Sequence, residues 1–243
     1  MLLTCWSTKG GTGTTVVSAL ISLQAAQDLG RSVLLVDLCG DLPASFGNPE
    51  PASGLAEWLN SNLSCDSLQR TLQELTPNLS LLPRGQGPLN ANRAEELLAW
   101  FDSDEPLAEH ATISTTQPLA AAPLVVVDAG TLFEANTADE RQTTEQLSRQ
   151  LVVEAHKSIL VTRACYLSLR RAVKLSLRPS EVVLVAEAGR ALTRSDCEHA
   201  IGASVVATVA VDPDIARAVD AGMLRTRIPK RALRALSQLT QNS

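Results

Sequence analysis

Leu2-Leu3-Thr4-Cys5-Trp6-Ser7-Thr8-Lys9-Gly10-Gly11-Thr12-Gly13-Thr14-Thr15-Val16-Val17 is the stretch whose reading decides the fold. Leu2–Trp6 is a short apolar run of strand length. Ser7–Thr15 is a turn rich in glycine and hydroxyl residues. From Thr15 to Leu29 the residues favour a helix, and Gly30 stands where a C-cap glycine belongs. A glycine-rich turn between a strand and a helix N-terminus is a phosphate cradle. Glycines let the backbone wrap closely, so that successive N–H groups point at the anion. The positive end of the helix dipole adds to the attraction. Thr15, at the helix start, is placed to offer its hydroxyl to Mg2+.

The same alternation continues outward. Short Val- and Leu-rich runs occur at Val33–Asp37, Leu79–Leu82, Leu124–Asp128, Ser158–Val161, Val182–Val185 and Val205–Val209. Each is apolar at successive positions, the pattern of strands buried on both faces of a parallel sheet. Helix candidates lie between them at Gly54–Asn60, Arg93–Phe101, Glu140–Val153, Leu167–Leu177, Thr193–Ala200 and Asp214–Ala221. The pattern predicts an α/β fold with a doubly wound, mostly parallel sheet, in a single domain over 1–243. Residues 102–123 turn from acidic to Thr-, Ala- and Pro-rich and read as a long flexible surface loop. Residues 229–243 read as one terminal helix, opened by Pro229, with a polar tail.

Composition narrows the function classes. Hydrophobic residues make up 45% of the 243, with only 3% aromatic, so the core is aliphatic. A net charge of -5 argues against a protein that coats nucleic acid with its whole surface. Cys5, Cys39, Cys65, Cys165 and Cys197 are widely spaced, contain no C-x-x-C pair, and read as reduced thiols. No signal peptide is legible, and no apolar run approaches the ~20 residues needed to cross a membrane. The expected location is cytoplasmic, with a peripheral place at the inner membrane or cell pole as a variant.

Lys9-Gly10-Gly11-Thr12-Gly13-Thr14-Thr15 resembles the deviant Walker A motif of the ParA/MinD superfamily, K-G-G-x-G-K-[ST]. The likeness implies a P-loop NTPase (SIMIBI/MinD-like) fold binding ATP and Mg2+. It also implies a nucleotide-sandwich homodimer in which Lys9 reaches the partner's phosphates. Thr14 stands where the family has its second lysine, and a neutral hydroxyl cannot supply that charge. A K-G-G-x-G-T-[ST] loop is similar to the CpaE/TadZ and septum-site-determining-like branch, whose members sit with pilus machinery. Val33–Cys39 resembles the second strand, V-L-L-V-D-x-D. There Asp37 is retained, Cys39 replaces the aspartate that orders the attacking water, and Asp41 is the nearby candidate substitute. Leu124–Gly130 looks like the Walker B strand, with Asp128 holding Mg2+ through water. Val205–Gly222 resembles the closing segment whose loop flanks the base, carried here by Asp212 and Pro213. The residues the resemblance assigns to nucleotide are therefore Lys9, Gly10, Gly11, Thr12, Gly13, Thr14, Thr15, Val16, Asp37, Asp212 and Pro213. Thr15 and Asp128 are assigned to the metal.

The implied function is a nucleotide-dependent dimeric switch that positions a pilus or polar assembly, with hydrolysis slow or absent. The alternatives are an active ParA/MinD-type ATPase that positions DNA or other cargo, and a scaffold without nucleotide. Arg217, Arg225, Arg227, Lys230, Arg231 and Arg234 form a basic C-terminal region. Its candidate roles are non-specific DNA contact, membrane contact, or none, with Leu233, Leu236 and Leu239 docked on the body of the protein. Arg163, Arg170, Arg171 and Lys174 form a second basic group.

Overall fold

The computed structural model describes residues 1–28, 31–103, 123–133 and 141–241. Gly30, nearly all of the 102–123 loop, Glu140 and the last two tail residues lie outside the described residues. Among the described residues eight strands form one sheet: β1 (Leu2–Ser7), β2 (Val33–Asp37), β3 (Gln73–Thr76), β4 (Leu79–Leu82), β5 (Leu124–Thr131), β6 (Lys157–Arg163), β7 (Glu181–Ala186) and β8 (Val205–Ala210). Their order is β3-β4-β2-β5-β1-β6-β7-β8. Every pairing is parallel except the β3–β4 hairpin. The glycine-loop strand β1 is thus central, with β5 and β6 as its neighbours. The seven strands expected from apolar runs are all present; six are buried on both faces, while β8, at the sheet edge, buries one face and exposes Thr208 and Ala210 on the other.

The helices are α1 (Thr14–Asp28), α2 (Leu42–Ser45), α3 (Leu55–Leu59), α4 (Asp66–Gln69), α5 (Ala94–Asp102), α6 (Arg141–Val153), α7 (Tyr166–Lys174), α8 (Arg194–Ile201), α9 (Pro213–Asp220), α10 (Lys230–Arg234) and α11 (Ser237–Gln241). They cover both faces of the sheet, as in a doubly wound fold. One apolar layer joins Leu20, Ile21 and Leu23 of α1 to Ile215 of α9 and to Leu233, Leu236 and Leu239 near the C-terminus. The other joins residues of α3 to α8, among them Trp58, Leu97, Leu151 and Leu169. Helix α1 is buried even at Ser18, Ser22 and Gln24. The two serines donate to the carbonyls four residues back, at 3.0 and 2.9 Å, which satisfies hydroxyls that have no access to water. Gln24 Oε1 accepts from Thr240 at 2.6 Å and so ties the C-terminus to this helix.

Three features depart from the sequence expectation. Strand β3 is additional: an antiparallel edge strand needs only Leu75 in the core, so its polar sequence carries no apolar run. Helices α2 and α4 have four residues each, too few for a periodic signal. The single terminal helix is instead two short ones, α10 and α11. Their leucines recur every third residue. An α-helix would fan such a series round its surface, whereas tight i→i+3 turns keep it on one face. Leu236 N donates to Leu233 O at 3.0 Å and Leu239 N to Leu236 O at 3.1 Å, which is that tightening. Among the described residues no helix is long and apolar enough to cross a membrane.

Candidate nucleotide site

The glycine loop lies at the C-terminal edge of the parallel strands. Gly11 and Gly13 have φ of 74° and 95°, a region that side chains with a Cβ rarely adopt. A Cβ at Gly10, Gly11 or Gly13 would meet nothing within 4 Å, so the loop fronts open space. Helix α1 begins at Thr14, and Val17 N already donates to Gly13 O at 2.9 Å. The N–H groups ahead of that bond remain for a ligand. Ser7 anchors the loop from behind, its Oγ 3.1 Å from Thr131 Oγ1 and 3.3 Å from Gly130 O. Thr8 Oγ1 donates to Ser168 O at 3.1 Å, which fastens the loop to α7.

The side chains tell a different story from the backbone. Thr14 is buried within the loop and exchanges a hydrogen bond of 3.2 Å with Thr12. It extends no cation toward the cradle. Lys9 is partly exposed on the rim, near Cys165 and Glu187. Burial opposes ionisation of the Cys165 thiol, but Ser168, Lys9 and Arg190 together hold it below its usual value.

Asp37 ends β2 and is fully buried. Its Oδ1 accepts from Cys39 N and Gly40 N at 2.8 Å each, and its Oδ2 accepts from Leu42 N at 3.1 Å. This carboxylate shapes the loop that follows it. Burial pushes its pKa up, against those three backbone donors. Asp41 is exposed at the start of α2 and makes no side-chain cap. Cys39 is exposed as a residue, but its thiol lies inward, 3.8 Å from Asp128 O. A Cβ on Gly130, at φ 66°, would lie 2.4 Å from Cys39 Sγ, so the thiol fills the space that glycine leaves. Burial and the carboxyl groups of Asp128, Asp37 and Asp41 push the thiol up, and it is protonated at neutral pH.

Asp128 is fully buried on β5, opposite Asp37 in register. Its Oδ1 accepts from Gly130 N at 3.2 Å, while Oδ2 has no hydrogen-bond partner among the described residues. Burial pushes its pKa up to about 7, the nearby Thr15 hydroxyl opposes the shift, and the charge of Asp37 adds to it. A ligand atom of Asp37, of Cys39 and of Asp128 can be chosen so that all three lie within 4.8 Å of one another. An orphaned buried carboxylate oxygen beside a threonine hydroxyl fits a hydrated Mg2+, which takes few protein ligands and keeps its water. Thr15 and Asp128 are the residues that would hold it, and the ion would supply the positive charge this corner lacks. Cys39, a soft and protonated ligand, adds nothing to such a site.

From the loop a cavity of about 560 Å3 runs across the ends of β6, β7 and β8 to α9. Its lining includes Gly11, Thr12, Gly13, Val16 and Asp212 of the expected nucleotide residues. Pro213 is the first residue of α9, one beyond Asp212. The Asp212 carboxylate accepts from Asp214 N at 2.9 Å and pairs with Arg231, so it fixes the loop. Val185, Val209, Ile215, Val219 and Arg163 complete the walls; sequence reading did not bring these together. The signal was available in the alternation of β6, where Ile159 and Val161 face the α1 layer and Arg163 continues that series.

Three of the six basic residues of the C-terminal region are committed, while Arg227, Lys230 and Arg234 are exposed. Arg217 pairs with Asp214, and Arg231 with Asp212 and Asp214. Arg225 donates to Leu75 O at 3.2 Å. Leu233, Leu236 and Leu239 are buried, so that leucine series is not available to a bilayer.

Known structures share this arrangement. A ParA family ATPase from Chlorobium tepidum TLS is 18% identical, with a TM-score of 0.67 and coverage of 100% of both chains. The septum site-determining protein MinD of Pyrococcus horikoshii OT3, solved with Mg-ADP, is 17% identical, with a TM-score of 0.68 over 100% of this chain and 97% of that one. MinD of Aquifex aeolicus, solved in a MinC:MinD complex, is 17% identical, with a TM-score of 0.70 over 100% of this chain and 97% of that one. No curated protein sequence matches the chain. Central strand, glycine loop and flanking helices give the chain the P-loop NTPase fold of these ParA and MinD structures. Within that class, the model of the family "Cellulose biosynthesis protein BcsQ" matches residues 1–173, and the chain belongs to that family. The match does not bear on the CpaE/TadZ branch in particular.

Proposed function

We propose that the chain is a nucleotide-gated dimeric localisation factor. It binds ATP with Mg2+, closes on a second copy of itself through the nucleotide face, and in that state positions a partner assembly. Hydrolysis is slow or absent. The observation that carries this reading is the intact backbone cradle, with Gly11 and Gly13 at positive φ, opening into a cavity of nucleotide size. Lys9, Gly10, Thr14 and Thr15 complete the phosphate end, and Asp37 holds the neighbouring loop in shape. Asp212 and Pro213 border the nucleoside.

Dimerisation is supported by what surrounds the cradle. Phe133 after β5, Tyr166 and Leu167 after β6, and Val211 after β8 are 46, 69, 52 and 51% exposed. They follow the same strand ends as the loop. Exposed apolar residues grouped around a cleft mark a surface that meets another protein. Lys9 lies on that rim and would reach the partner's phosphates, supplying in trans the charge missing at Thr14. Two losses argue against turnover. Thr14 removes charge stabilisation of the transferring phosphoryl group, and Cys39 removes a carboxylate at the water. Asp41 is the remaining acid with a free approach.

The cargo follows the family, so the assembly we propose is one that makes cellulose rather than a pilus. The Aquifex MinD neighbour, solved with MinC, is a precedent for a fold of this kind that engages a protein partner. The proposed location is the cytoplasmic side, at the inner membrane or cell pole, held there by partners because the tail leucines are buried. A nucleotide-free scaffold is the competing reading. Calorimetric titration of Mg-ATP separates the two: heat with a micromolar to millimolar Kd supports nucleotide gating, and no heat at millimolar nucleotide leaves the scaffold.

A further inference from the structure

A second cavity, of about 370 Å3, lies on the other side of the glycine loop from the first. It opens over the ends of β2 and β4, parallel neighbours whose ends lie at the same edge of the sheet as the loop. Cys39 and Gly40 wall it after β2, and Arg84, Gly85 and Gln86 after β4. The backbone that carries Arg84 is fixed. Leu55 N and Ala56 N of α3 donate to Pro83 O and Arg84 O at 2.9 and 2.8 Å. Glu57 accepts from Gly54 N, Gln86 N and Gly87 N at 2.7, 2.9 and 3.1 Å. Arg84 is half-buried, and its side chain lies against Gly40, where a Cβ would stand 3.7 Å from Arg84 Cδ. It therefore runs from the end of β4 back over the end of β2, towards the glycine loop. Nη1 donates to Gly85 O at 3.1 Å, the guanidinium's one hydrogen bond among the described residues, and no carboxylate there pairs with it. Glu50, the other charged wall residue, is exposed to water, which weakens its field.

A guanidinium carries several N–H donors in a planar fork, which matches the oxygens of phosphate. Held on a rigid loop and left mostly unpaired beside a cavity, it is set for an anion at little cost in ordering. The neutral thiol of Cys39 stands in the same wall where the superfamily pattern has aspartate, so one charge that would repel an anion is gone. We propose that the cavity over β2 and β4 is a second anion site, in which Arg84 binds a phosphate group. Two sources carry that chemistry: the terminal phosphate of a nucleotide in the cradle, and a free phosphate ion. With the base over β6, β7 and β8 and the first phosphates over β1, a triphosphate extends along the sheet towards β5 and β2. Gly40 is two strand spacings from β1, about 10 Å, and Arg84 reaches across it. That form rests on the nucleotide reading above; the free-ion form does not.

Calorimetry on the natural protein, Arg84→Ala and Arg84→Lys tests this, each checked for an unchanged melting transition. The probes are Mg-ATP, Mg-ADP and inorganic phosphate, the last titrated with and without saturating Mg-ADP. If the terminal phosphate occupies the cavity, Arg84→Ala weakens Mg-ATP by about 10- to 100-fold, the worth of a charge-assisted hydrogen bond, and leaves Mg-ADP unchanged. Arg84→Lys then recovers part of the loss, because it keeps the charge without the fork. If a free ion occupies it, inorganic phosphate binds the Mg-ADP-loaded natural protein, and Arg84→Ala weakens that binding by the same factor. Either result supports the proposal. Equal weakening of Mg-ATP and Mg-ADP overturns it, as does an Arg84→Ala protein that matches the natural one with every probe. If the natural protein binds neither nucleotide, the nucleotide reading falls by itself. Inorganic phosphate binding that Arg84→Ala weakens then keeps this inference, and any other result removes it too.

Discussion

The glycine loop and the loop after β2 meet at the same corner of the molecule, and they have been altered in different ways. In the glycine loop the backbone is complete: positive φ at Gly11 and Gly13, a helix start at Thr14, and open space in front. One charge is missing there, at Thr14, while a cation persists on the rim at Lys9. In the loop after β2 the backbone is equally well made, since Asp37 accepts three N–H groups along it. Its retained charges are all negative, and at position 39 a thiol folds inward against Gly130. The difference teaches that holding a phosphate and splitting one are separable demands. Backbone donors and a helix N-terminus serve the first. The second needs charges placed where the transition state develops them, and those positions are the ones changed.

The comparison can be broken most sharply by removing the metal. The charges of Asp37 and Asp41 raise the proton affinity of Asp128, and that of Asp41 raises Asp37, while Thr14 offers no counter-charge. Nucleotide without Mg2+ is expected to bind below detection, and Mg2+ to restore it. Calorimetry in EDTA checks this, and undiminished binding there would mean that an unrecognised cation serves the phosphates.

The next effect is on turnover. Thr14→Lys and Cys39→Asp singly are expected to recover little, and together to raise phosphate release about 100-fold, the usual worth of a transition-state charge. Coupled-enzyme assays of the four proteins would show it. A natural protein as fast as the double variant would remove both positions from the account.

A smaller effect separates the two loops by pH. Unfolded, the Asp128 carboxyl titrates near its usual value of about 4; folded, burial raises it to about 7. Between these the folded protein binds the extra proton, so metal-free stability falls as pH rises through this window and levels off above it. Asp128→Asn is expected to flatten that part of the melting-temperature profile. Asp37, raised in the same direction, accounts for slope that remains.

Much of this was legible in the sequence, for physical reasons. A strand buried on both faces must be largely apolar, and six runs of that kind became such strands, while the seventh became the half-exposed edge strand β8. A phosphate cradle needs glycine where φ is positive, and Gly11 and Gly13 announce it. Edge strand β3 was hidden because it buries little more than Leu75. The direction of the Cys39 thiol was hidden because it depends on a missing Cβ ninety-one residues away, at Gly130. Arg163 was visible as one of several basic residues, but its place in the cavity depends on β6 lying beside β1 in the sheet. Sequence order alone does not give that neighbour.

The central claim is that nucleotide assembles two copies without being consumed. Sedimentation velocity of the natural protein and of Lys9→Ala, with and without Mg-ATP and followed over hours, tests it most directly. The account predicts that Mg-ATP shifts the natural protein from monomer to dimer, or tightens a dimer already present, by mass action. That species should persist without released phosphate, and Lys9→Ala should keep its fold but lose the shift. A natural protein unchanged by saturating Mg-ATP, a dimer that decays as phosphate appears, or Lys9→Ala dimerising as well as the natural chain would contradict it.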